Sequence, residues 1–495
     1  MTFAMRRSFF MVAMALVLAT SFATLPGTRS AGAASGDGSG GKAIAHREGS
    51  AVDDSAAARR SAPDPKLHRI NIEGAPLNAG EPTLGLTKNG DVFYTAIQSN
   101  LRIEVAHSAD DGQTWDLRSP KIGGTRNAHL LTFDPYIYVD TDTDRIFNID
   151  LTVACSYLSF SDDKGKSWTT NALACGRPVN DHHTLFAGPP AITPTPVYEN
   201  IVYYCWNDVG SSSCSKSLDG GLSFSPTGTP AYPGVDPEAG DQGDSFCGGL
   251  HAHGHVGHDG TVYLPKGHCG QPWLAISKDE GATWTRVQVS KLGTSTHEAG
   301  VATDKKGNIY YTWMARDRRP YLAISKDGGK SWGKPMMIAP PGLKEGNLPG
   351  LDVGDPGKIA VVYMGSENSP FKPNGNWESP ECTLVEDQLG QCGDPRYKNT
   401  TWNGYMTISD NALDDDPLFY TATVNDKKDP LVRTTCGPGR CHAVYDFIDI
   451  VIGPDGTAWG AFVDACIMAC ADPKADGNAG AEAIVGHLVG GPKLR

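Results

Sequence analysis

The stretch "SKDGGKSW" at residues 325–332 decides the fold, because four close relatives of it occur earlier in the same chain. The copies begin at positions 108, 161, 217 and 277, and all five fit the pattern S-x-D-x-G-x-[ST]-[WF]. Their starts lie about 50 to 60 residues apart, a period that is typical of propeller blades with four short strands each. The repeat therefore indicates a β-propeller.

Each fixed position of the phrase has a structural use in a tight turn. The Asp carboxylate accepts hydrogen bonds from turn N–H groups, and the Gly adopts a positive φ without a Cβ clash. The Trp or Phe buries a large apolar area against neighbouring strands. Ligand binding by five acidic turns is the competing interpretation. A turn that recurs in successive blades meets a shared folding need, so we expect the phrase to lock a hairpin.

Strand-forming phrases also recur, each just after a Gly, Asp or Asn turn. They predict an all-β propeller of about seven four-stranded blades, with six as the alternative, in a single domain over residues 63–495. We expect an early strand near Leu67 to pair into the last blade and close the ring, which removes two exposed edges. The phrases are "GDVFYTA" at 90, "DRIFNID" at 144, "NIVYYCW" at 200, "GTVYLP" at 260, "GNIYYTW" at 307, "GKIAVVYM" at 357 and "GTAWGAFVD" at 456.

The N-terminal segment indicates export. Residues 1–34 combine Arg6 and Arg7 with an apolar run and small residues, which is typical of a secretory signal peptide. The apolar run is too short for a membrane span. Residues 35–62 are rich in Gly, Ser, Ala and charge, so we expect a flexible leader. We predict a secreted, extracellular protein.

The charge balance bears on possible partners. The formal net charge is −13, and cleavage after residue 34 would remove three arginines and make it −16. An acidic surface repels phosphate backbones. We therefore expect no nucleic-acid partner, and we expect a monomer.

The cysteine count indicates disulfides, because all 12 cysteines follow the predicted signal peptide and an exported chain is oxidised. Tight C-x-x-C pairs, which would favour zinc, do not occur. Neighbouring cysteines fall into six pairs within single predicted blades. The predicted disulfides are Cys155–Cys175, Cys205–Cys214, Cys247–Cys269, Cys382–Cys392, Cys436–Cys441 and Cys466–Cys470.

The five phrases resemble the Asp-boxes, or BNR repeats, of the sialidase superfamily. The resemblance covers residues 108–332 by motif and residues 64–495 by strand pattern. It implies a sialidase-like propeller that acts on carbohydrate, with exo-sialidase-like glycosidase activity and with the boxes away from the active face. It also implies an Arg-Ile-Pro and two further arginines that bind a carboxylate.

That arginine clamp is not recognisable in this chain. The nearest matches, Arg69-Ile70-Asn71 and Arg102-Ile103-Glu104, lack the proline. Arg177, Arg316 and Arg433 are candidate clamp members that no motif singles out, and solvated or salt-bridged surface roles compete with that interpretation. Of these we take Arg316 as a candidate substrate-binding residue.

Candidate site residues lie just before the predicted inner strands, where a propeller places side chains around its channel. Acids and imidazoles there suit a metal ion, a cationic group or acid/base chemistry, whereas turn capping or water binding is the alternative. The candidate catalytic residues are Glu81, Asp134, Glu298 and Asp446, and His183 is a candidate substrate-binding residue.

The segment His251-Ala252-His253-Gly254-His255 is the sharpest local signal. On a strand, alternate residues share a face, so three imidazoles would point the same way. This predicts a divalent metal site with His251 and His253 as ligands, and a hydrogen-bonded row of histidines is the alternative.

Three functions remain open at this point. The first is a sialidase-like propeller that binds or hydrolyses glycans at the mouth of the channel. The second is a metal-assisted polysaccharide-degrading enzyme, such as a lyase. The third is a non-catalytic binding or scaffold propeller, for which the fold alone would suffice.

Overall fold

The structure is a computed structural model, and it describes residues 39–495 with gaps. The gaps are residues 99, 122–130, 153–155, 173–179, 195, 209–210, 240–249, 296–297, 372–396, 398, 434–443 and 467–480. The predicted signal peptide at residues 1–34 lies outside the described residues and stays a prediction. No helix in the described part of the chain is long and apolar enough to cross a membrane.

The first elements in the chain are short. A single turn of 3-10 helix lies between the first two strands at Glu48–Ser50, and another precedes the fourth blade at Pro237–Ala239. The elements before the first blade are β1 (Ile44–Arg47), β2 (Ala51–Val52), α1 (Ala56–Ser61), β3 (Asp64–Arg69), β4 (Asn71–Ile72) and β5 (Ala75–Pro76).

Five four-stranded antiparallel blades follow in chain order. Blade 1 is β6 (Thr83–Leu86), β7 (Val92–Thr95), β8 (Val105–Ser108) and β9 (Asp116–Leu117). Blade 2 is β10 (Tyr136–Asp140), β11 (Arg145–Leu151), β12 (Ser156–Ser161) and β13 (Thr169–Ala172). Blade 3 is β14 (Asp181–Gly188), β15 (Ile201–Asn207), β16 (Ser212–Ser217) and β17 (Ser225–Pro226). Blade 4 is β18 (His255–Val256), β19 (Val262–His268), β20 (Gln271–Ser277) and β21 (Thr285–Gln288). Blade 5 is β22 (Ala299–Thr303), β23 (Ile309–Met314), β24 (Pro320–Ser325) and β25 (Met336–Met337).

Two further sheets complete the ring. The large sheet is β26 (Glu345–Val353), β27 (Ile359–Ser366), β28 (Thr401–Ser409), β29 (Phe419–Thr423) and β30 (Val432–Arg433), together with β1 and β2. The closing blade is β31 (Asp449–Ile452), β32 (Ala458–Asp464), β33 (Glu482–Val489) and β3. The innermost strands β6, β10, β14, β18, β22, β26 and β31 contact one another in a closed circle. The predicted all-β propeller is confirmed, with six four-stranded blades beside the large sheet.

The strand phrases form these sheets because their residues fill the space between blades. All seven residues of β15 and all eight of β27 are buried, as expected for a strand with a blade packed on either side. Side chains on opposite faces of one strand enter different clusters. In β11, for example, Ile146 packs with blade 1 and Phe147 packs with blade 3. The core is therefore a series of apolar layers between neighbouring sheets.

An early strand closes the ring, as predicted. β3 pairs antiparallel with β33, from Asp64 opposite Val489 to Arg69 opposite Ile484. Arg69 donates to Asp464 at 2.7 Å and to Glu482 at 3.1 Å, and its side chain is 9% exposed. This arginine was one of the near matches to the sialidase pattern. The structure instead places it in an ion-pair group of the closing blade.

The leader is more ordered than the sequence suggested. β1 extends the large sheet by pairing with β29, and His46 Nε2 lies 2.8 Å from Thr421 Oγ1. Ser55 caps α1 by accepting a hydrogen bond from the Ala58 N–H at 3.1 Å. The expectation of a flexible leader is wrong for residues 44–61. Composition could not show this, because the stabilisation comes from the open edge of β29, whose backbone groups pair with β1.

The repeated phrase forms the same hairpin in blades 1 to 5, as predicted. In blade 4, Asp279 Oδ1 accepts hydrogen bonds from Thr283 N–H at 2.9 Å and Ser277 Oγ at 2.8 Å, and Asp279 Oδ2 accepts one from Thr283 Oγ1 at 2.6 Å. Gly281 has a φ of +84° and donates to Ser277 Oγ at 2.8 Å. The other four copies repeat these contacts. We call these turns the box hairpins.

The aromatic residue of the phrase packs against the preceding blade. Trp168 of blade 2 contacts the apolar cluster that includes Phe93 and Val105 of blade 1, and its indole N–H donates to the Arg118 carbonyl at 2.8 Å. The large sheet has a sixth, degenerate copy of the turn, which the sequence pattern missed. There Ser409 Oγ donates to Asn411 Oδ1 at 3.2 Å, so an Asn replaces the Asp.

The two faces of the propeller carry different structural features. Strands in a blade alternate in direction, so the hairpin between the third and fourth strands lies where the inner strand ends. The box hairpins therefore lie on one face, the box face. The residues that precede the inner strands lie on the opposite face, the mouth face. A channel of about 480 Å³ lies between the inner strands.

One predicted disulfide lies wholly within the described residues and is confirmed. Cys205 and Cys214 are bonded across β15 and β16, with their Cα atoms 4.1 Å apart. Cys269 and Cys466 are also disulfide-bonded. Their predicted partners Cys247 and Cys470, and the remaining predicted pairs, lie outside the described residues and stay predictions.

Candidate functional site

Five ionisable side chains from five different sheets come together at the mouth face, and we call them the mouth cluster. Each precedes or begins an inner strand, and each is at most 5% exposed. The members are Glu81, Asp134, His182, Glu298 and Asp446. The structure thus brings together all four candidate catalytic acids. Their catalytic role stays a prediction.

The contacts within the mouth cluster link its members directly. His182 Nε2 lies 2.8 Å from Glu298 Oε1. The backbone N–H of Asp446 donates to Glu81 Oε1 at 3.3 Å, and the Asp134 side chain is hydrogen-bonded to Glu81. Asp134 also interacts electrostatically with His182 and Asp446. The sheets of the ring thus place these ionisable side chains close together.

Backbone conformation shapes this volume. Glu81 and His182 adopt left-handed φ values of +49° and +45°, which non-glycine residues rarely do. The pairing of β14 with β15 shifts register between Asp181 and Thr184, so His182 sits in a bulge. Residues held in such conformations cost about 1 to 3 kcal/mol each and concentrate at functional sites. The bulge turns His182 toward the mouth cluster.

The bulge also corrects the sequence prediction for His183. This residue is fully buried, its Nε2 donates to the Asp134 carbonyl at 2.7 Å, and its Nδ1 lies 3.3 Å from Ser156 Oγ. Burial lowers the pKa of His183 to about 3, so the ring is neutral. His183 therefore holds the backbone that carries Asp134, and its role in substrate binding stays a prediction. The neighbouring His182 is the functional candidate, and strand alternation alone could not select it.

Burial and charge separate the protonation states of the mouth cluster. Burial raises the pKa of Asp134 to about 7, with Asp181 and Asp446 adding to the shift and His182 opposing it. Burial opposes a charge on His182, but Glu298, Asp134 and Asp446 outweigh it and raise the pKa of His182 to about 10. At neutral pH, His182 and Glu298 thus form an ion pair, while Asp134 retains a proton in a large fraction of molecules.

The three histidines of the fourth blade do not share a face. Residues 252–254 are not in a strand, so the expected alternation does not apply. The His251 ring packs edge-on to His182 at 6.1 Å, whereas His253 packs between Tyr136 and Phe447 at 4.8 and 5.1 Å.

His255 instead reaches the next blade, where its Nε2 lies 2.8 Å from Thr303 Oγ1. Across the described residues, no group of three or more His, Cys, Asp or Glu side chains has the arrangement of a metal site. The expectation that His251, His253 and His255 line one face is therefore wrong, and the predicted ligand pair His251 and His253 gains no support.

The channel continues inward from the mouth cluster. Glu298 contributes to its wall, along with Tyr136, Phe186, His253 and Phe447. Aromatic walls of this kind suit the apolar faces of sugar rings.

Other acids along the inner strands are structural. Asp449 Oδ2 accepts a hydrogen bond from the Leu84 N–H at 3.1 Å, and Asp352 Oδ2 accepts one from the Ile452 N–H at 2.6 Å. Each carboxylate thus joins its inner strand to the next one.

The sixth inner strand begins earlier than the sequence suggested. β26 begins at Glu345, and Asp352 lies near its far end. Glu345 is buried and pairs with Arg318, and it accepts a hydrogen bond from Ser369. Arg318 also lies over the Phe371 ring at 4.7 Å. Glu345 is thus a further buried acid at an inner-strand start, here paired with an arginine.

The candidate arginines do not complete a carboxylate clamp. Arg316 is exposed on the loop after β23 and packs against Gly293, so the structure does not bring it to the mouth cluster. Arg177 lies outside the described residues. Arg433 ends the short strand β30. The substrate-binding prediction for Arg316 therefore has no support from its surroundings.

Several solved structures resemble this chain at low sequence identity. No protein-family model and no curated protein matches this chain. Among solved structures, a Hadza microbial sialidase is 16% identical with a TM-score of 0.39, and the alignment covers 58% of this chain and 63% of that protein. A mutant of the NanB sialidase from Streptococcus pneumoniae is 14% identical with a TM-score of 0.39, over 85% of this chain and 70% of that protein.

A lectin from Burkholderia pseudomallei, BP39L, is 8% identical with a TM-score of 0.47, over 82% of this chain and 99% of the lectin. The present chain therefore spans less than two thirds of the Hadza sialidase. All three TM-scores are below 0.5. The propeller assignment accordingly rests on the sheet topology of this chain itself.

Proposed function

We propose that this chain is a secreted, sialidase-like propeller that binds or hydrolyses glycans at the mouth cluster. We count the large sheet as a seventh blade, because its inner strand β26 occupies one place in the closed circle of inner strands. The observation that carries the proposal is the convergence of four carboxyl groups and one imidazole from five sheets on the face opposite the box hairpins. The resemblance of the repeated phrase to Asp-boxes supports the choice of glycans.

The chemistry that this site supports is acid-assisted glycoside cleavage. Such reactions need one carboxylic acid that protonates the leaving oxygen and a second carboxylate that attacks or activates water. Asp134 has the raised pKa that a proton donor needs near neutral pH. The candidates for the second carboxylate are Asp446 and Glu81. The backbone N–H of Asp446 donates a hydrogen bond to Glu81.

The surroundings of the acids argue against carboxylate recognition as in classical sialidases. Arg69 belongs to the ion pairs of the closing blade, and Arg316 is exposed on a loop. The cation beside Asp134 is His182, which is already paired with Glu298. A sialic acid carboxylate at this site would meet carboxyl groups, so we favour a glycan without an acidic sugar at the cleavage point.

The metal-assisted alternative depended on a shared histidine face. His251, His253 and His255 contact different residues, so the described residues do not assemble the site on which that alternative rested. The non-catalytic alternative differs from glycan hydrolysis at the mouth cluster only in turnover. An assay that reports binding and cleavage separately distinguishes the two.

The test is a glycan array followed by measurement of released reducing ends, with the full secreted protein. We expect a set of bound glycans and slow or fast cleavage of some of them. Asp134→Asn should lose cleavage at least about 100-fold, since general acid catalysis contributes that much. Asp355→Asn is the matched control, because Asp355 lines the same channel at the box face and pairs with Lys305. Absence of any bound glycan would refute the proposal, and binding without cleavage would favour the binding propeller.

A further inference from the structure

Two buried acceptor atoms at the mouth cluster lack a hydrogen-bond partner within the described residues. They are Asp134 Oδ1 and His251 Nε2. The Asp134 residue is 4% exposed and His251 is fully buried. A buried acceptor without a partner destabilises the fold, so each one indicates a partner that binds there.

The hydrogen-bond geometry fixes what kind of partner His251 needs. Its Nδ1 lies 3.0 Å from the Ala252 carbonyl, which can only accept, so Nδ1 carries the proton. Burial, with His182 next in effect, lowers the pKa of His251 well below its ordinary value and keeps the ring neutral. His251 Nε2 is therefore a bare acceptor. The missing partner must be a donor.

The local charge restricts the donor further. Four carboxyl groups interact electrostatically or by hydrogen bonds with Asp134 or His182, namely those of Glu81, Asp181, Glu298 and Asp446. The cation in this group of side chains is His182. Lys266 acts on His251, but its ammonium donates to Ser212 Oγ at 3.4 Å and lies over the Tyr232 ring at 5.2 Å. Carboxyl groups thus outnumber cations beside the two unsatisfied acceptors.

We propose that the mouth cluster recognises the primary ammonium group of an amino sugar, which donates to Asp134 Oδ1 and His251 Nε2. An ammonium has three donors, no acceptor and one positive charge, which matches both the unsatisfied acceptors and the excess of carboxyl groups. A carboxylate ligand has acceptors alone and the wrong charge. This inference rests on the proposed glycan-directed function and names its substrate class.

The ligand pair that tests the inference differs only at the nitrogen. Calorimetric titration at neutral pH would compare a glucosamine tetramer with its fully N-acetylated counterpart, using the full-length secreted chain. We expect the free amine to bind at least about tenfold tighter, because acetylation removes the charge and two donors. Equal binding of the two tetramers would overturn the inference and leave the glycan function standing. Failure of both tetramers and of every glycan on the array would overturn both.

Variants distinguish specific amine binding at the mouth cluster from nonspecific attraction of a cation to an acidic protein. Asp134→Asn should remove most of the preference for the free amine. His251→Phe removes the Nε2 acceptor together with the Nδ1–H bond to the Ala252 carbonyl, and it should weaken amine binding in the same direction. Asp355→Asn makes the same charge change at the other end of the channel and should leave the preference intact. If all three variants reduce amine binding equally, and added salt abolishes it in each, the attraction is nonspecific and the proposal fails.

Discussion

The box face and the mouth face both depend on carboxylates at the ends of strands, yet they use them in opposite ways. On the box face the same Asp is bonded to the same Ser and turn donors in five blades, as Asp279 is in blade 4. On the mouth face, equivalent positions differ from blade to blade, and unlike side chains crowd together. A contact that repeats serves the fold of each blade. A set of residues that differs between blades and converges on the axis is a candidate for function.

Asp279 on the box face and Asp134 on the mouth face have pKa values that are shifted in opposite directions. Burial opposes ionisation of Asp279, but hydrogen bonds from Thr283 and Ser277 outweigh it and lower the pKa. At Asp134 burial prevails, and the pKa rises to about 7. The box face thus stabilises a charge with donors, whereas the mouth face retains a proton because donors are few. Four experiments test this contrast.

The largest effect is expected from breaking the buried ion pair of the mouth cluster. His182→Ala leaves Glu298 buried without its cation, and removing one partner of such a pair costs about 3 to 5 kcal/mol. The double variant His182→Gln with Glu298→Gln should recover most of that loss, because both charges of the pair are removed together. Chemical denaturation measures the free energy of unfolding for each, with the exposed His258→Ala as control. A loss below about 1 kcal/mol in His182→Ala would show that the pair is solvated.

The second effect is a pH dependence of stability with the sign set by Asp134. Its pKa is 3.8 in the reference state and about 7 in the fold, so the folded chain holds a proton that the unfolded chain releases. This contribution to stability is complete below pH 3.8 and is lost as the pH rises through about 7.

Asp134→Asn should therefore be more stable than the parent above pH 7, by on the order of 2 kcal/mol, while losing activity. Denaturation midpoints at several pH values provide the measurement. Identical pH profiles for the two proteins would mean that Asp134 is already ionised in the fold.

A smaller effect is expected on the box face. Asp279→Ala removes an acceptor of three hydrogen bonds in one hairpin and should cost about 1 to 2 kcal/mol without changing glycan binding. The neighbouring Lys278→Ala serves as control. The same denaturation series reports stability, and the glycan array reports function. Loss of glycan binding in Asp279→Ala at retained stability would contradict a purely structural role for the box hairpins.

The smallest effect concerns the degenerate turn of the large sheet. Asn411 accepts hydrogen bonds from Ser409 Oγ and the Leu418 N–H, and its own amide donates to Asp414 at 3.0 Å. Asn411→Asp would restore the box residue but place two carboxylates together, so we expect a loss of about 0.5 kcal/mol. Thermal unfolding at low and high salt checks it, because salt should reduce the loss. A gain in stability would show that the box Asp is favourable in any of these turns.

The sequence predicted the fold and much of the site because both follow from local pattern. The phrase at residues 325–332 and its copies gave the blade repeat, and alternating strand phrases gave the sheets. Alignment of the residues before the inner strands found Glu81, Asp134 and Glu298, because a ring places equivalent residues around one axis. Pairing of the early strand near Leu67 with the last blade followed from the need to remove exposed edges.

Other features depended on contacts that are distant in sequence. The bulge in β14 selects His182 over His183, and the register of the pairing with β15 creates that bulge. Because β26 begins earlier than the sequence suggested, Glu345 was not recognised as an acid at an inner-strand start. β1 is ordered because it pairs with β29, more than 350 residues away in the chain. His251 and His253 diverge because residues 252–254 leave the strand.

The repeating unit follows from the sequence alone, since turn chemistry and strand periodicity act over a few residues. Which side chains meet, and in which protonation state, depends on the assembled ring. The pKa values of Asp134 and His182 depend on burial and on charges delivered by other sheets, including Glu298 and Asp446. Those distances do not exist until the ring closes, and electrostatic interactions in a buried volume depend on them steeply.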